Sequence, residues 1–289
     1  MKRIKKVLGL ALVFLLLLVP GIGLSKDTGF VLLSSTIGPV DAGIVGALED
    51  RFEKETGIRV RHVGAGTGAA LDMARKGPFD LVLVHAKSLE EKFIEEGYGT
   101  ERIPLMYNDF VILGPAADPA GIKGLKTAAE ALTAIAQKQK SFVSRGDKSG
   151  THVAEMALWE KAGTKPAGDW YIVYEKGSLG NAATLKYADE KNAYTVIDRA
   201  TYLSLKKEIH LVIFVEGDEA MLNYISLIPV SPKKFSGVNY KETMTFVKWL
   251  TSPSKGQKII ETFGKETYGE PLFFPNSDEW QKTQKRNVK

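Results

Sequence analysis

From Phe30 onward the chain repeats one unit: a short apolar run, a turn of small or hydroxylated residues, then an amphipathic stretch of helical period. FVLLSST reads as a buried strand. VDAGIVGALEDRFEKETG follows as a helix with Ile44, Ala47, Leu48 and Phe52 on one face and Gly57 as its stop. IRVRHVGAG and TGAALDMARKG repeat the pair, and the apolar DLVLVHA with SLEEKFIEEG repeats it again, ending at Gly97. A series of this kind predicts an α/β fold with a mixed, mostly parallel sheet and helices on both faces. In such sheets ligands bind outside the carboxyl ends of the strands, where this chain places its Ser, Thr and Gly turns.

The rhythm breaks twice. YNDFVILGPAADPAG runs a strand into a Gly/Pro-rich loop, TAAEALTAIAQKQK is helical, and the strand–helix pattern restarts at SFVSR. DEAMLNYISLIPVSP later sets a strand between polar and proline-containing segments. Both breaks are read as crossings between two lobes. Residues 26–111 then form the first part of lobe I and residues 112–225 lobe II. Residues 226–280, with the helical ETMTFVKWLTSPSKGQKIIETFG, complete lobe I. The alternative is one large sheet with long loops. A chain of 289 residues is long enough for two lobes of ordinary size.

MKRIKK, the apolar VLGLALVFLLLLVPGIGL and the small residues up to Ser25 follow the order of a secretory signal peptide. The apolar run also approaches the about 18 residues a spanning helix needs. Residues 1–25 are therefore expected either to be removed or to stay as an anchor, and both outcomes place the body outside the cytoplasm. The absence of cysteine rules out disulfides, thiolate metal sites, a thiol nucleophile and thioether lipidation. The net charge of +5 belongs to the ends of the chain. Lys2, Arg3, Lys5 and Lys6 supply four positive charges and Lys282, Lys285, Arg286 and Lys289 another four, leaving residues 7–280 at −3. A nucleic-acid binder carries its positive charge on the folded body, so that class is excluded. Residues 281–289 read as a solvated, frayed basic tail.

SFVSRGDKSGTH, residues 141–152, crowds the most chemistry into one strand-to-helix turn. SFVSR is a strand, and HVAEMALWEKAG is a helix with Val153, Met156 and Ala157 on one face and Gly163 at its end. Ser149, Gly150 and Thr151 thus occupy a helix N-terminus, whose first N–H groups lack intrahelical partners and whose dipole favours an anion. Ser149 and Thr151 add hydroxyl donors, and Gly150 lets an anion approach the backbone. Arg145 offers a planar fork of donors that Asp147 can brace. Other readings compete: a plain N-cap at Ser149 or Thr151, a surface arginine, and a hydrolase built on Asp147, Ser149 and His152. The hydrolase lacks a G-x-S-x-G elbow, and the four His include no H-E-x-x-H pair for a metal enzyme. Ser34, Ser35 and Thr36 end the first strand, and Gly66, Thr67 and Gly68 stand at the next turn. GAGTG is not a dinucleotide fingerprint, because Ala69 interrupts G-x-G-x-x-G.

VGAGTG, DLVLVHA, EEGYGTERIPLMYNDFVILGP, FVSRGDKSGTH, AYTVIDRATYL and VEGDEAMLNY followed by IPVSP occur in this order. In that series the chain resembles the TupA family of tungstate-binding proteins, the extracytoplasmic receptors of tungstate ABC importers, over residues 29–270. The resemblance implies a two-lobed type II periplasmic-binding-protein fold that closes an interlobe cleft on one oxyanion. It also implies a monomer without cofactor or catalysis, which delivers tungstate to a membrane permease with its cytoplasmic ATPase. R-x-D-x-S-G-T at 145–151 is similar, too, to the anion loop of phosphate-binding proteins, in which the Asp braces the Arg. Carried over residue by residue, the contacts are Thr67, Gly68, Ser144, Arg145, Ser149, Gly150 and Thr151. Ser34, Ser35 and Thr36 replace the family's run of threonines, Asp147 supports Arg145, and Thr184 of GSLGNAATL is a peripheral candidate.

Tungstate and molybdate carry no proton near neutral pH, so a cage of N–H and O–H donors suits them. Phosphate keeps a proton and asks for an acceptor, typically a carboxylate. An unpaired carboxylate facing a dianion is costly. Asp147 is the carboxylate nearest the loop in sequence and is expected to turn to Arg145. The expectation is a tungstate receptor, with a molybdate or phosphate receptor and a secreted serine hydrolase as rivals.

Overall fold

The computed structural model describes residues 29–287, and the signal or anchor expected at 1–25 lies outside the described residues. Strands β1 (Phe30–Thr36), β2 (Arg59–Ala65) and β3 (Leu81–Val84) open the chain, joined by helices α1 (Ile37–Asp41), α2 (Ile44–Thr56) and α3 (Thr67–Lys76). Helix α4 (Lys87–Glu95) follows β3. β1 lies between β2 and β3 and is parallel to both, with Thr36 opposite Ala65 and Ser35 opposite Leu83. This register brings the carboxyl ends of the three strands to one edge. Every residue of β3 is buried, as a parallel strand covered on both faces requires.

A second series follows: β4 (Ile103–Gly114), α5 (Ala128–Gln137), β5 (Phe142–Ser144), α6 (Gly150–Lys161) and β6 (Tyr171–Val173). It continues with α7 (Asn181–Glu190), β7 (Tyr194–Asp198), α8 (Arg199–Leu205), β8 (Val212–Val215) and β9 (Leu222–Pro229). Here β5 lies between β6 and β7, parallel to both. The long strand β4 joins the two series. It pairs antiparallel with β9 as far as Asp109 and with β7 from Phe110 onward. The hydrogen-bonded order is therefore β2-β1-β3-β9-β4-β7-β5-β6, continuous through one partner exchange in β4. Parallel pairs make up the two ends of this path, and antiparallel pairs belong to the crossing. The α/β architecture expected from the sequence is present.

The chain closes with α9 (Tyr240–Thr251), α10 (Gly256–Thr262), α11 (Lys265–Tyr268), β10 (Phe274–Pro275) and α12 (Asp278–Asn287). The tail expected to fray is helical through Asn287. Asp278 and Glu279 lie in its first turn and Lys285 and Arg286 in its last, the charge order that complements the helix dipole. Ser277 Oγ accepts the Trp280 N–H at 3.1 Å and secures the start. Among the described residues no helix is long and apolar enough to cross a membrane.

Helix α6 departs from the sequence reading in its orientation. Its buried face is Thr151, Glu155, Leu158 and Trp159, whereas Val153 and Met156 are 61% and 38% exposed. The Trp159 ring meets Phe142, Trp170 and Tyr171 with centroids 5.1, 5.8 and 6.1 Å apart. Aromatic pairs of this kind contribute about 0.5–1.5 kcal/mol each beyond the area they bury. Turning Val153 and Met156 inward would forfeit all three, so the heavier face wins.

Candidate functional site

The carboxyl edge of β1 and β2 gathers hydroxyls and an open helix end. Ser34 and Ser35 are fully buried and already committed, Ser34 Oγ donating to Ala70 O at 2.8 Å and Ser35 Oγ to Thr36 O at 3.0 Å. Thr36 precedes α1 without capping it, and its Oγ1 accepts from Thr67 Oγ1 at 3.4 Å. Gly66 precedes α3, where no side chain caps the helix. Among the described residues the N–H groups of Thr67 and Gly68 have no hydrogen-bond partner, and the helix dipole adds a partial positive charge there.

At the carboxyl end of β5, Ser144 Oγ donates to Glu155 Oε2 at 2.7 Å. Arg145 follows, its side chain 16% exposed. Its Nε donates to Asp147 Oδ2 at 3.0 Å and to Gly177 O at 3.1 Å, and its Nη1 donates to Asn181 Oδ1. Asp147 Oδ1 accepts the Ser149 N–H at 3.0 Å, so both carboxylate oxygens are engaged within the loop. Burial pushes the Asp147 pKa up, but hydrogen bonds from Ser149 and the charge of Arg145 outweigh it and hold the group below the usual carboxylate range. Two glycines make the arrangement possible. Gly146 turns the chain at φ +67°, and a Cβ on Gly177 would stand 1.8 Å from the Arg145 carbonyl oxygen.

Ser149 is the N-cap of α6, its Oγ accepting the His152 N–H at 3.4 Å. Capping uses a lone pair of Oγ and not its O–H, so the capping and anion-binding readings of this residue are compatible. The N–H groups of Gly150 and Thr151 have no partner among the described residues. His152 Nδ1 accepts the Lys148 N–H at 2.9 Å, and among the described residues its ring makes no hydrogen bond to Ser149 or Asp147. The geometry of a Ser-His-Asp triad is therefore not formed. Thr184 is buried in α7, where its Oγ1 donates to Gly180 O at 3.0 Å.

Behind the loop, Glu155 takes Ser144 Oγ at 2.7 Å, Tyr171 Oη at 2.7 Å and Trp159 Nε1 at 3.1 Å. Burial raises its pKa, and these hydrogen bonds offset the rise only in part. Because the folded state holds this proton more tightly than the unfolded chain, its contribution to stability is complete below the ordinary value of 4.5 and is lost as pH climbs through the raised one. Glu155→Gln keeps an acceptor at Oε1 and removes that titration. In urea titrations the wild type is expected to gain stability relative to this variant as pH falls toward 4.5. A difference that stays constant across the range would show an unperturbed Glu155.

Two residues of the site escape the sequence reading. Asn181 holds Arg145 on one side and donates from Nδ2 to Asp198 Oδ2 at 2.6 Å on the other, yet in GSLGNAATL it looks like a helix-start residue. His85 follows β3, and its Cε1 lies 3.6 Å from where a Cβ of Gly150 would stand. That approach brings the carboxyl edge of β3 against the N-terminus of α6. The strand-end rule that selects Thr36 and Thr67 also selects His85, so the signal was available. A separate hollow of about 730 Å³ on the outer side of α6 is lined by His152, Val153, Met156 and Trp159 and includes neither Arg145 nor Thr67.

Residues 25–254 match the PBP superfamily domain. The tungstate-binding protein TupA of Peptoclostridium acidaminophilum is 42% identical over 255 residues, which is 88% of this chain and 88% of that protein. Among solved structures, the tungstate binding protein TupA from Desulfovibrio alaskensis G20 is 40% identical with a TM-score of 0.80, covering 86% of this chain and 100% of that one. The tungstate ABC transporter structure from Geobacter sulfurreducens is 42% identical with a TM-score of 0.69, covering 81% of this chain and 98% of that one.

Proposed function

Because the chain belongs to the PBP superfamily and, within it, to the TupA tungstate-binding proteins, we propose that it captures tungstate outside the cytoplasm and delivers it to an ABC permease with its ATPase. Residues 1–25 then serve export, as a removed signal or a retained anchor. The protein is a receptor and not an enzyme, and tungstate is its cargo, with no cofactor needed. It acts as a monomer of two lobes that meet through β4 and β9, with the cleft between their carboxyl edges.

Thr36, Thr67 and Gly68 supply donors from one side of the cleft, and Arg145, Ser149, Gly150 and Thr151 supply them from the other. Ser34, Ser35, Ser144 and Thr184 act behind them, since each hydroxyl hydrogen is spent on a protein acceptor. The observation that carries the reading is the orientation of Asp147, whose two oxygens face Arg145 and the Ser149 N–H. The edge therefore presents donors, as a fully deprotonated dianion requires. Hydrogen bonds to charged groups contribute roughly 1.5–3 kcal/mol each. About half a dozen, after desolvation and lobe ordering, reach nanomolar affinity near −12 kcal/mol.

Calorimetric titration with sodium tungstate, molybdate, sulfate and phosphate tests this. Tungstate is expected to bind with a dissociation constant on the order of nanomolar, and phosphate at least about a thousandfold more weakly. Phosphate binding as tight as tungstate would transfer the protein to the phosphate class, and heat from none of the four anions would sink the receptor reading.

A further inference from the structure

We propose that His152 is a positioning residue of the anion loop, the neutral acceptor of a helix cap whose usual carboxylate would stand beside the anion. The proposal rests on the receptor reading above and gives a role to the residue that closes SFVSRGDKSGTH.

Many helices start with a reciprocal cap. The N-cap hydroxyl accepts the backbone N–H three residues on, and a Glu or Gln there reaches back to the N-cap N–H. Helix α5 is built this way on an exposed surface. Thr127 Oγ1 accepts the Glu130 N–H at 3.2 Å, and Glu130 Oε2 accepts the Thr127 N–H at 3.1 Å. In α6, Ser149 stands where Thr127 does and His152 where Glu130 does. The forward half of the cap is unchanged, Ser149 Oγ accepting the His152 N–H. The Ser149 N–H is already held by Asp147, so the His152 ring reaches one residue further and accepts the Lys148 N–H at 2.9 Å.

That bond defines both the ring and the loop. A backbone N–H only donates, so Nδ1 carries a lone pair, the ring proton is on Nε2 and the imidazole is uncharged. Lys148 stands at φ +61°, a left-handed conformation unfavourable for a residue with a side chain. Fastening its N–H to the ring holds the chain there. The N–H groups of Lys148, Ser149 and His152 are then all satisfied inside the loop, which leaves those of Gly150 and Thr151 for a ligand.

Charge explains why the acceptor is a histidine. A carboxylate three residues into α6 would complement the helix dipole, as Glu130 does in α5. It would also bring a negative charge to the turn assigned to a dianion, where like charges repel. Helices α1, α3 and α6, which start at the proposed site, have no acidic residue in their first turns. His152 keeps the acceptor and omits the charge.

The test compares wild type with His152→Gln, His152→Glu and His152→Leu, using calorimetry with sodium tungstate beside thermal melts. The ring is half-buried and borders the outer hollow of α6, so these side chains fit without entering the core. His152→Gln restores a neutral acceptor and is expected to bind within about threefold of wild type. His152→Glu differs from it only in charge and is expected to bind about tenfold more weakly than His152→Gln while melting no lower. His152→Leu releases the Lys148 N–H and is expected to weaken binding about tenfold. Long-range proton–nitrogen NMR of the wild type near neutral pH gives a check that needs no variant, with the His152 proton expected on Nε2 and none on Nδ1. Equal affinity of the Glu and Gln variants, wild-type affinity in His152→Leu, a Gln variant as weak as the Leu variant, or a proton on Nδ1 overturns the proposal and leaves the receptor reading standing. A wild type that gives no heat with tungstate overturns both.

Discussion

Replacement of Arg145 by alanine is expected to weaken tungstate binding by about a hundredfold or more while the melting temperature moves by only about 2 °C. The guanidinium carries five N–H groups. Nε and Nη2 are held by Asp147, Nε also by Gly177 O and one Nη1 hydrogen by Asn181, which orients the fork and leaves one hydrogen on each Nη atom for a ligand. Two charge-assisted bonds to a dianion amount to roughly 3–6 kcal/mol, or two to four decades in affinity. Stability is spared because Asp147 keeps the Ser149 N–H when the arginine is gone, and no apolar side chain leaves the core. Arg145→Lys separates charge from shape, since an ammonium restores the former without the planar fork, and its affinity should fall between the two. Calorimetry beside a thermal melt decides the matter. Wild-type affinity in Arg145→Ala with an intact melting curve would remove Arg145 from the cleft.

What the sequence could and could not tell follows the distance over which each feature is decided. Strand–helix alternation is local, so β1–β3 with α2–α4 are legible from periodicity and glycine stops. The Arg145–Asp147 pair is also local, two residues apart, and its geometry follows from one tight turn at Gly146. The partner exchange in β4 is not local. Asp109 and Phe110 are neighbours in one strand whose partners, Leu222 and Asp198, come much later in the chain. Periodicity also fails on α6, which carries apolar residues on both faces. The aromatic cluster around Trp159 selects the buried one, and Val153 with Met156 gives no hint of losing.

Within the site, residue type reveals which groups can donate but not which hydrogens are already used. Ser34 is spent on Ala70 and Ser144 on Glu155, contacts that span 36 and 11 residues. Thr36 and Thr67, equally ordinary in sequence, instead face each other at the strand ends. The family resemblance supplies the positions, and only packing shows which of their hydroxyl hydrogens already have a protein acceptor.

Arg199→Leu is expected to cost about 3–5 kcal/mol of unfolding free energy and roughly 10 °C of melting temperature. Arg199 opens α8 at 7% exposure and grips Asp109 with two hydrogen bonds, Nε to Oδ1 at 2.8 Å and Nη2 to Oδ2 at 2.6 Å. Glu216 and Glu270 approach the same guanidinium at 2.7 and 3.1 Å. Hydrogen bonds to Asp109 hold the arginine charged even more firmly than usual, against the opposing effect of burial. One cation thus balances three carboxylates, and the Asp109 side chain is only 4% exposed. Without Arg199 that carboxylate is a buried, unpaired charge, which is why the cost exceeds the about 0–1 kcal/mol of an exposed pair such as Arg51–Glu55. Removing the orphan as well should recover most of the loss, so Arg199→Leu with Asp109→Leu is expected to melt well above Arg199→Leu alone. Asp109 is the last β4 residue paired with β9 before the strand exchanges partners, and Glu270 belongs to the closing segment. The ion group therefore ties the crossing strand to α8, to the residue that follows β8 and to the closing segment, and tungstate affinity measured well below the melting temperature should change far less than stability does. A melting temperature of Arg199→Leu within about 2 °C of wild type would show that Asp109 finds water or another partner, and that the crossing is held by packing alone.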